Sequence, residues 1–207
     1  MLNWIKNHFN TLHQLQLNTH VADRHGNTLP LDAGFKQYTD TVLSIRKAKN
    51  KIMFIGNGGS AGIASHMSID YSKNGHLPSM TFTDASAVTC LSNDYGYEHV
   101  FEKQIEFHAR PGDVLIAISS SGKSSNILNA VAAAQKIGCH VITFTGFEPK
   151  NPLSLVGELN FFVSSKEYGF VEVAHLALCH AMLDYIMEQE MPASAKKATL
   201  TEATLVA

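Results

Sequence analysis

Five short apolar runs that scarcely alternate with polar residues constrain this chain more than any other feature. They are KIMFIG (Lys51 to Gly56), SMTFTD (Ser79 to Asp84), DVLIAIS (Asp113 to Ser119), HVITFTG (His140 to Gly146) and LNFFVS (Leu159 to Ser164). A strand with one wet face alternates, whereas a strand covered on both faces does not. Between the runs lie segments of helical length, Ser60 to Tyr71, Tyr97 to His108 and Ser124 to Ile137; the last puts Ile127, Leu128, Val131, Ala134 and Ile137 on one stripe. Repetition of strand and helix predicts an α/β fold, a three-layer sandwich whose five-stranded parallel sheet carries helices on both faces. Ligands in such folds bind outside the carboxyl ends of the strands.

Ahead of the first run, Leu2, Ile5, Phe9, Leu12 and Leu15 recur at helical spacing over Leu2 to His20, and Phe35, Tyr38, Val42 and Ile45 over Asp32 to Lys49. The polar stretch Asp23 to Pro30 reads as a break between these two leading helices. The narrow stripe of the first needs a partner surface, either its own sheet or another subunit. A final helix over Val171 to Glu190 carries Val173, Leu176, Cys179, His180, Leu183 and Ile186, and beyond Pro192 the chain becomes small and polar. One domain over residues 1–191 and a flexible tail over 192–207 are expected.

A net charge of −2 with 16 dispersed basic residues excludes a nucleic-acid stripe and a membrane-surface patch, so the ligand is expected to be small. Cys90, Cys139 and Cys179 are odd in number and form no C-x-x-C pair, which fits reduced thiols in the cytoplasm. The opening MLNWIKNHFN has no apolar signal core and no membrane span, so neither export nor insertion is expected.

Two turns carry the chemistry, and both fall at the ligand-binding edge. After the first run comes Gly56-Asn57-Gly58-Gly59-Ser60, where glycines allow close approach and the following helix offers free N–H groups to a phosphate. Four residues apart on that helix, His66 and Asp70 share a face. After the third run comes Ser119-Ser120-Ser121-Gly122-Lys123-Ser124, a second cradle of neutral donors. Gly56-x-Gly58-x-x-Ala61 with Asp84 also satisfies a relaxed dinucleotide fingerprint, but a dinucleotide fold needs no second cradle. Gly122-Lys123-Ser124 imitates the end of a Walker A motif and fails it, because Ala117 stands where glycine is required. The bland reading of the serines is helix capping. His66 and Asp70, joined by two ligands from another helix, could equally hold a metal. On the final helix Glu172 and His180 lie two turns apart on nearly one face, and His175 reads as a core histidine.

The combination GNGGSA…H…D, SNDYG (Ser92 to Gly96), AISSSGKSSNIL and HLALCH resembles the sugar isomerase (SIS) domain family, and within it the phosphoheptose isomerases. The resemblance runs from the second helix to about Glu190. It implies a flavodoxin-like sheet, a homotetramer with sites at subunit interfaces, and conversion of sedoheptulose 7-phosphate to glycero-manno-heptose 7-phosphate. It implies further that Asn57, Gly58, Gly59 and Ser60 line the sugar-phosphate pocket, that Asn93, Asp94 and Glu172 contact the sugar, and that Ser119, Ser120, Ser121 and Ser124 hold the phosphate. The family's base falls on Asp70 and its acid on His180, and a zinc set falls on His66, Asp70, Glu172 and His180. Three departures stand out. Asp70 is one methylene shorter than the family's glutamate, Glu172 replaces a glutamine, and Tyr168-Gly169-Phe170 replaces a stretch with an acidic and a basic residue. A relative of these isomerases binds the bacterial replication initiator, so a non-catalytic binding protein is the alternative. A nucleotide-dependent enzyme is the third reading.

Overall fold

The computed structural model describes residues 1–190, so the expected tail at 192–207 lies outside the described residues. The five anticipated strands are β3 (Ile52–Gly56), β4 (Ser79–Thr81), β5 (Val114–Ser119), β6 (His140–Gly146) and β7 (Leu159–Val163), all parallel. Every residue of β3, β5 and β7 is buried, which is why none of them alternates. Two further strands, β1 (His20–Asp23) and β2 (Thr28–Leu29), form an antiparallel hairpin on β7, so the sheet has seven strands rather than five. Its order is β2-β1-β7-β6-β5-β3-β4. The hairpin reads as a linker in the sequence because it is mostly turn: the Asp23 carboxylate accepts from the N–H groups of His25 and Asn27 at 2.8 and 2.9 Å. Only Val21 in it is fully buried.

The helices are α1 (Leu2–Leu17), α2 (Leu31–Ala48), α3 (Gly59–Lys73), α4 (Ala85–Tyr95), α5 (Val100–His108), α6 (Ser125–Ile137) and α7 (Tyr168–Glu190). Helix α4 was not anticipated, because it buries only Leu91 and so shows no stripe. The expected Tyr97 helix begins as a single tight turn, Tyr97–His99, before α5. Alternate strand residues feed two cores. Ile52 and Phe54 of β3 join Val114, Ile116 and Ile118 under α2, α3 and α7, while Met53 and Ile55 join Leu115 and Ala117 under α5 and α6. Each of these side chains other than that of Ala117 contributes about 1.5–3 kcal/mol on burial.

Helix α7 is long and apolar enough, by length and composition, to cross a membrane, which the sequence reading did not foresee. Its apolar face is a core face: Val171, Ala174, Leu178, Met182 and Ile186 are buried under the sheet. By contrast α1 buries none of its residues and exposes Leu2, Trp4, Ile5 and Phe9. It leans on α7 through His8, which stacks on Phe170 at 4.5 Å. Within the parallel part the chain passes from β3 to β4 on one side and then to β5 on the other. The carboxyl ends of β3 and β5 therefore frame a crevice, and both anticipated turns open onto it.

Candidate active site

Gly58 caps α3 with φ +53°, a conformation that costs glycine little. The first turn of α3 thus faces the serine turn across a cavity of about 240 Å³. Asn57, Gly58, Gly59 and Ser60 line one side, Ser119, Ser120, Ser121 and Ser124 the other, and Tyr168 and Glu172 of α7 complete it. Two hydroxyls shape the turn itself, since Ser119 Oγ accepts from the N–H of Gly122 at 3.2 Å and Ser121 Oγ from that of Lys123 at 3.3 Å. Ser124 stands at the N-cap of α6 without a side-chain capping bond, so capping does not explain it. Ser120 is 5 % exposed, and its hydroxyl has no partner among the described residues. Leaving a buried hydroxyl unpaired costs about 1–3 kcal/mol, which a ligand oxygen would recover.

Asn57 is held from two sides. Its amide pairs reciprocally with that of Asn126 at 2.9 Å in each direction, and its Oδ1 also accepts from the Tyr97 hydroxyl at 3.1 Å. The sequence reading assigned no role to Asn126, Tyr97 or Tyr168. Asn126 could have been found, as an asparagine on the first turn of α6 directly after the serines; Tyr97 gives no such signal.

A groove leads away from the cradle. Gly59, Gly62, Ile63 and His66 form one stripe of α3 and, with Glu172, Val173 and Leu176 of α7, line an adjoining cavity of about 260 Å³. One turn further along both stripes stand Asp70 and His180. Asp70 Oδ2 lies 3.3 Å from His66 Nε2 and 3.9 Å from His180 Nδ1, and the two imidazoles are 5.2 Å apart between centroids. One donor atom from each of the three residues falls within 4.8 Å of the others. Two imidazoles and a carboxylate at that spacing suit a divalent ion such as zinc with one coordination place left open. With its side chain 19 % exposed, Asp70 is also the most sheltered of the three.

Glu172, the fourth residue of the implied zinc set, is not in that cluster. Its carboxylate lies against Gly59, where a Cβ would meet Oε2 at 2.3 Å. Asn93 and Asp94 sit at the exposed end of α4, bonded to each other at 2.9 Å, and line neither cavity.

Helices α3 and α7 are tied beside the cluster. The Tyr71 hydroxyl donates to the carbonyl of Cys179 at 3.2 Å and, its proton being engaged, accepts from the Tyr38 hydroxyl at 2.6 Å. Tyr71 and Cys179 are the chain neighbours of Asp70 and His180. His175 is a core residue, as expected: it is wholly buried, with Nε2–H donating to the Thr145 carbonyl at 3.0 Å. Its Nδ1 has no partner among the described residues, and burial pushes its pKa down to about 4.

Fold and site together are those of an α/β domain suited to a small phosphorylated ligand. The chain belongs to the SIS domain family, which it matches over residues 30–146. It is 38 % identical to the phosphoheptose isomerase of Rhodospirillum rubrum over 147 residues, 68 % of this chain and 78 % of that protein. It is 35 % identical to that of Aliarcobacter butzleri over 163 residues, covering 76 % and 84 %. Among solved structures, the phosphoheptose isomerase from Neisseria gonorrhoeae superposes with a TM-score of 0.77 at 31 % identity, covering 89 % of this chain and 97 % of that one.

Proposed function

We propose that this protein is an aldose–ketose isomerase that converts sedoheptulose 7-phosphate to D-glycero-D-manno-heptose 7-phosphate. The observation that carries the reading is the continuity of the site: one groove runs from an anion cradle to a carboxylate flanked by two imidazoles. With the phosphate on Ser119, Ser120, Ser121, Ser124 and the first turn of α3, the sugar chain lies along the groove. Its carbonyl end then reaches Asp70 and His180. Asp70 removes a proton from the carbon beside the carbonyl, giving a cis-enediol, and His180 is the acid through which the neighbouring carbon is protonated. His66, 3.3 Å from the same carboxylate oxygen, orients Asp70. Zinc held by His66, Asp70 and His180 would polarise the sugar's carbonyl and hydroxyl oxygens. Since one carboxylate cannot be a free base and a tight ligand at once, we assign the ion to substrate binding or to the resting site.

The exposed apolar stripe of α1 supports assembly as a homotetramer. Packing of α2 and β1 into the same core as the parallel strands supports one domain over residues 1–191, and three free cysteines fit the cytoplasm. The test is proton NMR of the protein with sedoheptulose 7-phosphate in D₂O, beside Asp70→Asn and His180→Gln. A heptose anomeric signal and deuterium beside the carbonyl, both lost in the variants, are expected. Neither turnover nor exchange in the folded, zinc-supplied wild type would overturn the assignment in favour of a binding protein.

A further inference from the structure

Asn57 differs from the serines with which it lines the cradle. A serine hydroxyl turns to suit its ligand, whereas the Asn57 amide is pinned by hydrogen bonds on both its oxygen and its nitrogen. Its Oδ1 accepts from Asn126 Nδ2 at 2.9 Å and from the Tyr97 hydroxyl at 3.1 Å, so both lone pairs are taken. Its Nδ2 donates to Asn126 Oδ1 at 2.9 Å. An amide nitrogen carries two hydrogens, so the side chain has one N–H left to offer. An ionised phosphoryl group, which only accepts, needs such a donor, and an unpinned amide would present its oxygen as readily as its nitrogen.

Both partners are themselves held. Asn126 is 2 % exposed and lies in the first turn of α6, directly behind the serine turn. Its pairing with Asn57 therefore ties the glycine turn after β3 to the helix that follows the serine turn after β5. One turn further along α6, Asn129 Nδ2 donates to the Glu98 carbonyl at 2.9 Å and fastens the tight turn that carries Tyr97. Gly96 leads the chain into that turn at φ +91°, a value that glycine adopts at little cost. Neither Asn126 nor Tyr97 lines the cradle or the adjoining cavity, so each meets a ligand there only through Asn57.

Resting on the phosphosugar reading above, we infer that Asn126 and Tyr97 are positioning residues of the cradle, which hold Asn57 as a fixed N–H donor to an oxygen of the sugar phosphate. Fixing the amide before the ligand arrives removes the cost of ordering it on binding. It also fixes the sign of what the cradle presents, a hydrogen rather than a lone pair, which favours an anion over a neutral sugar. The three side chains act as a unit, so their effects on affinity do not add.

Calorimetric titration of the full chain with D-glucitol 6-phosphate, which carries the phosphoryl group but has no carbonyl to isomerise, reads this in a double-mutant cycle. Asn57→Ala and Asn126→Ala are each expected to weaken binding about 10-fold, and Tyr97→Phe about 3-fold. Tyr97→Phe keeps the ring of a half-exposed residue, so it remains a folded test even where Asn126→Ala, at a buried position, does not. Added to Asn57→Ala, each of the other two changes should alter affinity by less than about 1.5-fold, because the residue through which it acts is gone. The same 3-fold loss from Tyr97→Phe in that background, or no loss in the wild type, would overturn the positioning role and leave the pocket standing. Tighter binding by Tyr97→Phe would overturn it too, since Asn57 would then be presenting its oxygen. Failure of the sugar phosphate to bind any form would overturn the pocket, and with it both this inference and the proposed function.

Discussion

Acidification from about pH 7 to about pH 4 should destabilise the fold through His175. The imidazole is wholly buried on α7, its Nε2–H fixed to the Thr145 carbonyl at the end of β6. Burial lowers its pKa from 6.5 to about 4, the Thr145 hydrogen bond opposing this only in part. Near pH 6.5 the unfolded chain takes up a proton that the folded protein refuses, so below that pH the unfolded state binds more protons and stability falls. The contribution is complete above about pH 6.5 and is lost progressively down to about pH 4. At about 1.4 kcal/mol for each pH unit between the two values, the loss is about 3 kcal/mol, a large part of the 5–15 kcal/mol typical of a domain. Urea unfolding by circular dichroism, at fixed protein concentration, would compare the wild type with His175→Gln, whose amide can still donate to Thr145 but does not titrate. The stability difference between them should stay constant above about pH 7 and shift by about 3 kcal/mol against the wild type toward pH 4. Parallel pH profiles would refute the reasoning.

Ser120→Ala removes an unpaired buried hydroxyl, so unfolding should show no loss of stability while thermal-shift titration shows sugar-phosphate affinity falling about 10-fold. Asp113, fully buried, accepts from the Lys51 side chain, the Asn50 amide and the Arg110 N–H, and these bonds outweigh burial and hold its pKa below the usual carboxylate value. Its stabilisation is thus complete above about pH 4 and is lost as the pH falls through the lower folded value. Asp113→Asn should cost roughly 3 kcal/mol at neutral pH in urea unfolding, and progressively less as the pH is lowered below the usual carboxylate range. Replacing Ile5 and Phe9 together by Asp should leave the sheet intact by circular dichroism and shift light-scattering mass to smaller assemblies.

The parallel strands were legible because complete burial leaves apolar runs unbroken. The β1–β2 hairpin was not, since its two strands total six residues and it buries one side chain fully. Both turns could be read from glycine and serine content, and His66 with Asp70 from four-residue spacing. His180 and Glu172 could not be separated that way. Eight residues put them on one face but about 12 Å apart along the axis, and the sequence does not say toward which end each side chain turns. The Tyr38–Tyr71–Cys179 tie and the Asn57–Asn126 pair join residues from 33 to 108 positions apart, so only the folded chain brings them together.

The same helical arithmetic makes the groove a measure of substrate length. Gly59 opens α3 at the cradle, and Asp70 stands eleven residues on, about 16 Å along the axis before its side chain leans back toward the N-terminus. A sugar chain gains nearly as much length per carbon as a helix gains per residue. A five-carbon ketose phosphate anchored in the serines therefore presents its reacting carbons about 3 Å short of where a seven-carbon one does. Because Asp70 reaches less far than a glutamate would, the shortfall is not made up from its side. Misplacement by about 1 Å can cost 100-fold in rate, while the phosphate grip is indifferent to what lies beyond it. Ribulose 5-phosphate should accordingly bind with an affinity within a few-fold of sedoheptulose 7-phosphate and turn over at least about 100-fold more slowly, the difference lying in kcat rather than KM. Equal kcat for the two sugars would mean that the phosphate does not sit at the start of α3, and that the groove is not the path joining it to Asp70.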